Sequence, residues 1–273
     1  MLIAAIQLEV NDDKGKAARL EMVDALLAQI NSSPRKPDLI MLPEQWGCGF
    51  GGFDKYAASS ETLSGETFQL LSGWASKIGC WILGGSIVEA DAGSATKSAP
   101  HKEKFYNTTL LLNREGRLEA FYRKIHLFSY GCQESEVVNP GESVVVVETE
   151  LGKLGLSTCY DLRFPEQYRA MADAGAEIFL IAAAWPKTRL EHWRLFNQAR
   201  AVENQCWLVS CNCAGVHDGK LLAGHSMTVS PEGKIVAEAR EADGVLYSEI
   251  DVSQVQKYRE DFSAFADRVP LGK

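Results

Sequence analysis

Apolar strand-like runs and helical periodicities alternate from one end of this chain to the other, which restricts it to a layered α/β architecture. Leu39-Ile40-Met41-Leu42 and Ile178-Phe179-Leu180-Ile181-Ala182-Ala183-Ala184-Trp185 are nearly continuous apolar runs, the pattern of strands covered on both faces. Between such runs the apolar spacing turns helical. Ala17, Leu20, Val23, Leu27 and Ile30 predict a helix over 14–30, and 66–78 reads as a second with Gly79 as its stop. Leu190, Trp193 and Phe196 share one face of a third helix running to about 204, and Thr188 with Glu191 matches a capping box to open it. Strands over 105–112 and 118–122 bracket Asn113-Arg114-Glu115-Gly116, while 226–229 and 234–239 flank Pro231-Glu232-Gly233, giving one hairpin in each half. Residues 91–104 are small and polar and read as an exposed loop. Each half therefore repeats strand, helix, strand, hairpin, which suggests two packed sheets with helices outside. No low-complexity linker interrupts the chain, so 1–273 reads as one domain.

With 273 residues, 46% of them hydrophobic, the chain can bury a sizeable core. Its net charge of −8 argues against nucleic acid or an anionic membrane as partner. The N-terminus runs straight into a strand pattern without a basic segment, so no signal peptide is expected, and no apolar run approaches the ~20 residues of a membrane span. The seven cysteines are an odd set and, without a secretory signal, read as reduced thiols of a cytoplasmic protein. Cys211 and Cys213 form a C-x-C with no second ligand pair, so no metal is expected. The glycine pairs near 49–52 and 84–85 lack the strand–turn–helix setting of a phosphate loop, so no cofactor is expected either.

The chemistry concentrates at strand ends. In Gly155-Leu156-Ser157-Thr158-Cys159-Tyr160-Asp161-Leu162-Arg163-Phe164-Pro165-Glu166 a buried strand delivers a cysteine into a sharp turn, and Pro165 suits the first turn of the helix that follows. Helix-start N–H groups beside Cys159 would stabilise a thiolate and a developing oxyanion. A plain buried cysteine is the alternative. Glu44 ends the apolar run at Leu42-Pro43, and Lys124 follows the strand ending near Tyr122. Taken singly, Glu44 could brace a loop and Lys124 could be a solvated charge; with a cysteine they make a chemical set.

Leu42-Pro43-Glu44, Tyr122-Arg123-Lys124-Ile125-His126-Leu127-Phe128 and the segment from Ser157 to Glu166 together resemble the nitrilase superfamily of carbon–nitrogen hydrolases, in the right order and over essentially the whole chain. The resemblance implies a four-layer α-β-β-α sandwich, usually dimeric, with Glu44 as general base, Lys124 as catalytic lysine and Cys159 as nucleophile. A second active-site glutamate is best matched by Glu134, with Glu142 as the alternative. The continuation Cys159-Tyr160-Asp161-Leu162-Arg163-Phe164-Pro165-Glu166 is similar to the branch holding ω-amidases and deaminated-glutathione amidases, which act on small amides carrying a carboxylate. N-carbamoyl and nitrile hydrolysis within the superfamily are the alternatives.

On this reading the Tyr160 backbone N–H joins Lys124 at the oxyanion. Arg163 is either a carboxylate clamp, by its planar fork, or a salt-bridge partner of Asp161 or Glu166. Trp185 and Phe50 wall the pocket or sit in the core. Ala182-Ala183-Ala184 stands where relatives often carry asparagine or serine. An isochorismatase-type hydrolase fits the segment order poorly. A Cys-His hydrolase would need His126, His192 or His225, none of which sits in a motif that demands it, and a non-catalytic thiol module would not need the intact triad.

Overall fold

The computed structural model describes residues 1–90 and 105–269, so the loop expected over 91–104 lies outside the described residues. The first sheet is built from β1 (Leu2–Gln7), β2 (Leu39–Met41), β3 (Trp81–Ala90), β4 (Phe105–Leu112) and β5 (Leu118–Arg123). The second contains β6 (Val145–Thr149), β7 (Gly152–Thr158), β8 (Ile178–Ala183) and β9 (Trp207–Asn212). A small hairpin, β10 (Val216–His217) and β11 (Lys220–Leu221), precedes β12 (Met227–Val229), β13 (Ile235–Glu238) and β14 (Gly244–Glu249).

The two six-stranded sheets run β14-β1-β2-β3-β4-β5 and β13-β12-β9-β8-β7-β6. Each has three parallel strands at its centre, β1, β2 and β3 or β7, β8 and β9, with antiparallel strands on either side. The repeated grammar of the sequence is thus a repeated sheet. The last strand closes the fold by pairing with the first, from Leu2 with Glu249 to Gln7 with Gly244.

Helices α1 (Lys16–Ser32) and α3 (Glu66–Ile78) cover the first sheet, and α5 (Pro165–Asp173) and α6 (Leu190–Asn204) cover the second. Short helices α2 (Tyr56–Ser59) and α4 (Glu134–Val137) lie in the connections, and α7 (Ser253–Asp261) follows the last strand. Strand alternation divides each apolar run between two cores. Ile178 and Leu180 point between the sheets with Ile3, Ala5, Leu39 and Met41, while Phe179 and Ile181 point outward to Tyr168, Met171 and Trp193. Ala4, Ile6 and Ile40 turn the other way, onto Val23, Leu27 and Leu71. These are the four layers of an α-β-β-α sandwich.

Helix boundaries largely follow the sequence signals. Gly79 stops α3 with φ 74°, and Pro165 opens α5. The capping box expected at Thr188 and Glu191 does not form. The chain enters α6 through a tight turn, Lys187–Arg189, so Arg189 holds the cap position without a side-chain cap bond.

Candidate active site

Glu44, Lys124 and Cys159 converge because the strands preceding them end at the same edge of the sandwich. Glu44 lies just beyond β2, Lys124 directly after β5 and Cys159 directly after β7. The Glu44 N–H donates to the Ala183 carbonyl at 3.3 Å, joining the end of the first sheet to the end of β8 in the second. A bulge in β3 makes room for this turn. Gly85 has φ 67°, and a Cβ there would lie 2.0 Å from the Pro43 carbonyl oxygen, so only glycine lets the two segments approach. Ser86 Oγ then accepts the Gln45 N–H at 3.0 Å, holding the turn after Glu44.

Glu44, Lys124 and Glu134 are all fully buried. Lys124 Nζ donates to Glu44 Oε1 at 2.9 Å and to both oxygens of Glu134 at 3.0 Å. Asn107 on β4, also fully buried, donates from Nδ2 to Glu44 Oε1 at 2.8 Å and to Glu134 Oε1 at 3.2 Å. Glu44 Oε2 accepts the Ala184 N–H at 3.0 Å, and Glu134 Oε2 accepts the Phe128 N–H at 2.6 Å. Burial disfavours the lysine charge, but the carboxylates of Glu134 and Glu44 outweigh it and hold Lys124 well above its ordinary pKa. Its ammonium also lies 5.1 Å from the centre of the Phe50 ring. Lys124 is therefore a fixed cation. Burial raises the Glu134 carboxyl; Lys124 opposes this and Glu44 adds to it, leaving the group above the usual carboxylate range. Glu142, the alternative at the sequence level, is exposed.

Cys159 sits at φ 45°, in the left-handed region that a residue with a Cβ rarely adopts. The strain turns the chain sharply from β7 into the short turn Cys159–Arg163. Asp161 braces that turn: its carboxylate accepts the Thr158 N–H at 2.9 Å, the Tyr122 hydroxyl at 2.7 Å and the His126 N–H at 3.0 Å. The Tyr160 N–H lies in the first turn, where N–H groups have no partner within the helix. The Cys159 thiol faces the Glu44 side chain and the Ala184 backbone, both of which act on its pKa. Burial and then the Glu44 charge push it well above the ordinary thiol range, while Lys124 pulls the other way. The Cys159 thiol therefore rests in its protonated form beside the Glu44 side chain.

A cavity of about 550 Å³ opens over Cys159, within the roughly 300–1,000 Å³ typical of ligand sites. Lys124, Tyr160, Arg163, Trp185 and Phe50 all line it. Trp185 serves both uses foreseen for it, lining the cavity while packing 5.4 Å from Trp193. Arg163 forms no ion pair among the described residues. Asp161 is engaged elsewhere, Glu166 is exposed, and the Arg163 guanidinium lies over the rings of Trp185 at 4.7 Å and Phe196 at 5.2 Å.

The histidines considered at the sequence level are occupied elsewhere or exposed. His126 stacks on Phe164 at 3.8 Å with Nδ1 2.9 Å from Asp161, His225 Nδ1 lies 2.8 Å from Glu238, and His192 is exposed. His217, not singled out by sequence, does line the cavity. Its Nδ1 is 2.8 Å from Asp12, and burial lowers its pKa. Asn107 and Arg189 were missed as well. The signal for Asn107 is an amide on the inward face of an apolar strand, and for Arg189 a cation at a helix start, where the dipole disfavours it.

Comparison with known proteins finds relatives over nearly the whole chain. The carbon-nitrogen hydrolase family model matches residues 2–260. The 2-oxoglutaramate amidase of Paenarthrobacter nicotinovorans is 34% identical over 97% of this chain and 88% of its own length. Omega-amidase NIT3 of Saccharomyces cerevisiae is 32% identical over 94% of this chain and 89% of its own length. The crystal structure of Saccharomyces cerevisiae Nit3, a member of branch 10 of the nitrilase superfamily, superposes with a TM-score of 0.85 at 30% identity, covering 96% of this chain and 94% of that one. A buried acid, lysine and thiol at the ends of matched strands in two facing sheets, together with a family match over nearly the whole chain, place this protein in the carbon–nitrogen hydrolase family.

Proposed function

We propose that the protein is an ω-amidase, hydrolysing the terminal amide of a small acid such as 2-oxoglutaramate or succinamate. The observation that carries this reading is Arg163, a guanidinium without a carboxylate partner among the described residues, in the same cavity as the Cys159 thiol. Relatives named 2-oxoglutaramate amidase and omega-amidase support it. In the mechanism, Cys159 Sγ attacks the amide carbon as Glu44 takes the thiol proton. The oxyanion that forms is met by the Lys124 ammonium and the Tyr160 N–H. Glu44 returns the proton to the departing ammonia, leaving a thioester, and then activates the water that releases the acid. Glu134 and Asn107 hold Lys124 and Glu44 in place throughout.

The deciding experiment is ammonia release from 2-oxoglutaramate, succinamate, glutamine, an aliphatic amide and a nitrile, with Cys159→Ala as blank. Release confined to carboxylate-bearing amides and lost in the variant is the expected result. Turnover of the nitrile, or of N-carbamoyl compounds in its place, would move the protein to another branch.

We also infer that it works as a homodimer in the cytoplasm. Seven free thiols suit a reducing compartment. On α6, Leu195 is 61% and Val202 44% exposed, and they share a stripe with Ala199. Light scattering should give a dimer mass that Leu195→Glu with Val202→Glu halves; an unaltered mass would remove α6 from the interface.

A further inference from the structure

The cavity contains a second guanidinium to which the mechanism assigns no role. Arg189 ends the tight turn before α6, where its backbone carbonyl accepts the Trp185 indole N–H at 2.8 Å. Its guanidinium is 5.6 Å from the ring centres of both Phe128 and Tyr130 and has no carboxylate partner among the described residues. Arg163 lines the same cavity, again held by aromatic faces rather than by an acid. The other basic groups there are committed. Lys124 is bound by Glu44 and Glu134, Lys220 pairs with Asp218 at 2.6 Å, and His217 lies 2.8 Å from Asp12 with its pKa lowered by burial.

Two free cations on one cavity wall are unfavourable in three respects. Their charges repel, and after burial the Arg189 charge is the chief influence lowering the Arg163 pKa. Arg189 also sits at the start of α6, against the positive end of the helix dipole. Among the described residues, neither guanidinium has a carboxylate partner to offset these terms. A carboxylate has two oxygens and about four lone-pair sites, enough for two guanidinium forks at once.

We propose that Arg189 and Arg163 form a two-guanidinium clamp for the carboxylate of the substrate, and that Arg189 sets the preference for anionic over neutral amides. This rests on the ω-amide reading and extends it to a residue that sequence analysis did not single out. The aromatic settings suit the role. Arg189 is held by ring faces and not by an acid, so an arriving carboxylate need not displace a protein counter-ion.

The test compares kcat/KM for succinamate and butyramide, its neutral counterpart, in wild type, Arg189→Ala, Arg189→Lys, Arg163→Ala and the double alanine variant. One charge-assisted hydrogen bond is lost, so the preference for succinamate should fall about ten- to hundredfold in Arg189→Ala, chiefly through KM. Lysine should restore part of it. The double variant should lose less than the product of the single losses, because the two residues share one anion.

A second arm measures succinate binding by calorimetry, whichever amide proves to be turned over. Binding at least about tenfold weaker in Arg189→Ala, and weaker still as salt is raised, is expected. An unaltered preference in Arg189→Ala, an equal fall for both amides, or unaltered or absent succinate binding would each overturn the proposal. If no carboxylate-bearing amide is hydrolysed by the wild type, the ω-amide reading fails, and the binding arm still decides the clamp.

Discussion

Glu44→Gln is expected to lower kcat by about 10²- to 10⁴-fold while the protein stays folded. Glutamine preserves the shape, and its carbonyl can still accept from Lys124 and Asn107, as Glu44 Oε1 does at 2.9 and 2.8 Å. It cannot take a proton from the thiol. In the proposed mechanism one carboxylate serves both thioester formation and its hydrolysis, so neither half-reaction should survive selectively, and no thioester should accumulate. The pH dependence provides an independent check. Burial and the Glu44 charge hold the wild-type thiol well above its ordinary range. Removing that charge lowers the thiol pKa, so residual activity in the variant should climb as pH rises from neutral and thiolate forms without a base. Single-turnover ammonia release across that range measures it. A kcat within about tenfold of wild type would take the general-base role away from Glu44.

The strand ends were readable because the physics there is local. A carboxylate, an ammonium or a thiol abutting a run of buried apolar residues is conspicuous in one dimension, and Glu44, Lys124 and Cys159 all have that address. The alternation of Ile178, Phe179, Leu180 and Ile181 between two cores follows from the strand period alone. The choice of Glu134 over Glu142 depended on the path of the irregular segment after β5, which periodicity does not describe. In the structure Glu134 is buried at 3.0 Å from Lys124 and Glu142 is exposed.

What stayed hidden was non-local. Asn107 reaches Glu44 across 63 residues of chain, and within an apolar, threonine-containing strand it resembles ordinary β-sheet filling. Arg189 was obscured by a competing signal. Thr188 and Glu191 fit a capping box, but the tight turn from Lys187 to Arg189 moved the helix start one residue on and gave the cap position to a cation. The bulge at Gly85 was masked too, since two glycines in a strand also match a loop, and only the 2.0 Å approach to Pro43 explains the second of them.

Lys124→Ala is expected to damage stability as well as turnover. The ammonium is the cation between two fully buried carboxylates that also share the Asn107 amide. Removing one partner of a buried ion pair costs about 3–5 kcal/mol, because the remaining charges stay desolvated. Loss of an oxyanion donor should independently lower kcat by about 10²- to 10³-fold. The pH dependence of the stability loss identifies its cause. Burial and the neighbouring Glu44 already raise the Glu134 carboxyl pKa with the lysine present, and without Lys124 the opposing influence is gone, so Glu134 rises further above its unfolded value. The folded variant then binds more protons than the unfolded one, so its stability should increase as pH falls from about 7.5 towards about 5. Urea unfolding midpoints at the two values measure this. Lys124→Ala combined with Glu134→Gln removes one of the facing charges and should recover much of the stability with no recovery of activity. If the single variant matched wild type in stability and showed no gain on acidification, the lysine would not be neutralising the carboxylates. Its role would then be confined to the oxyanion, and Glu134 would lose its reason for being buried there.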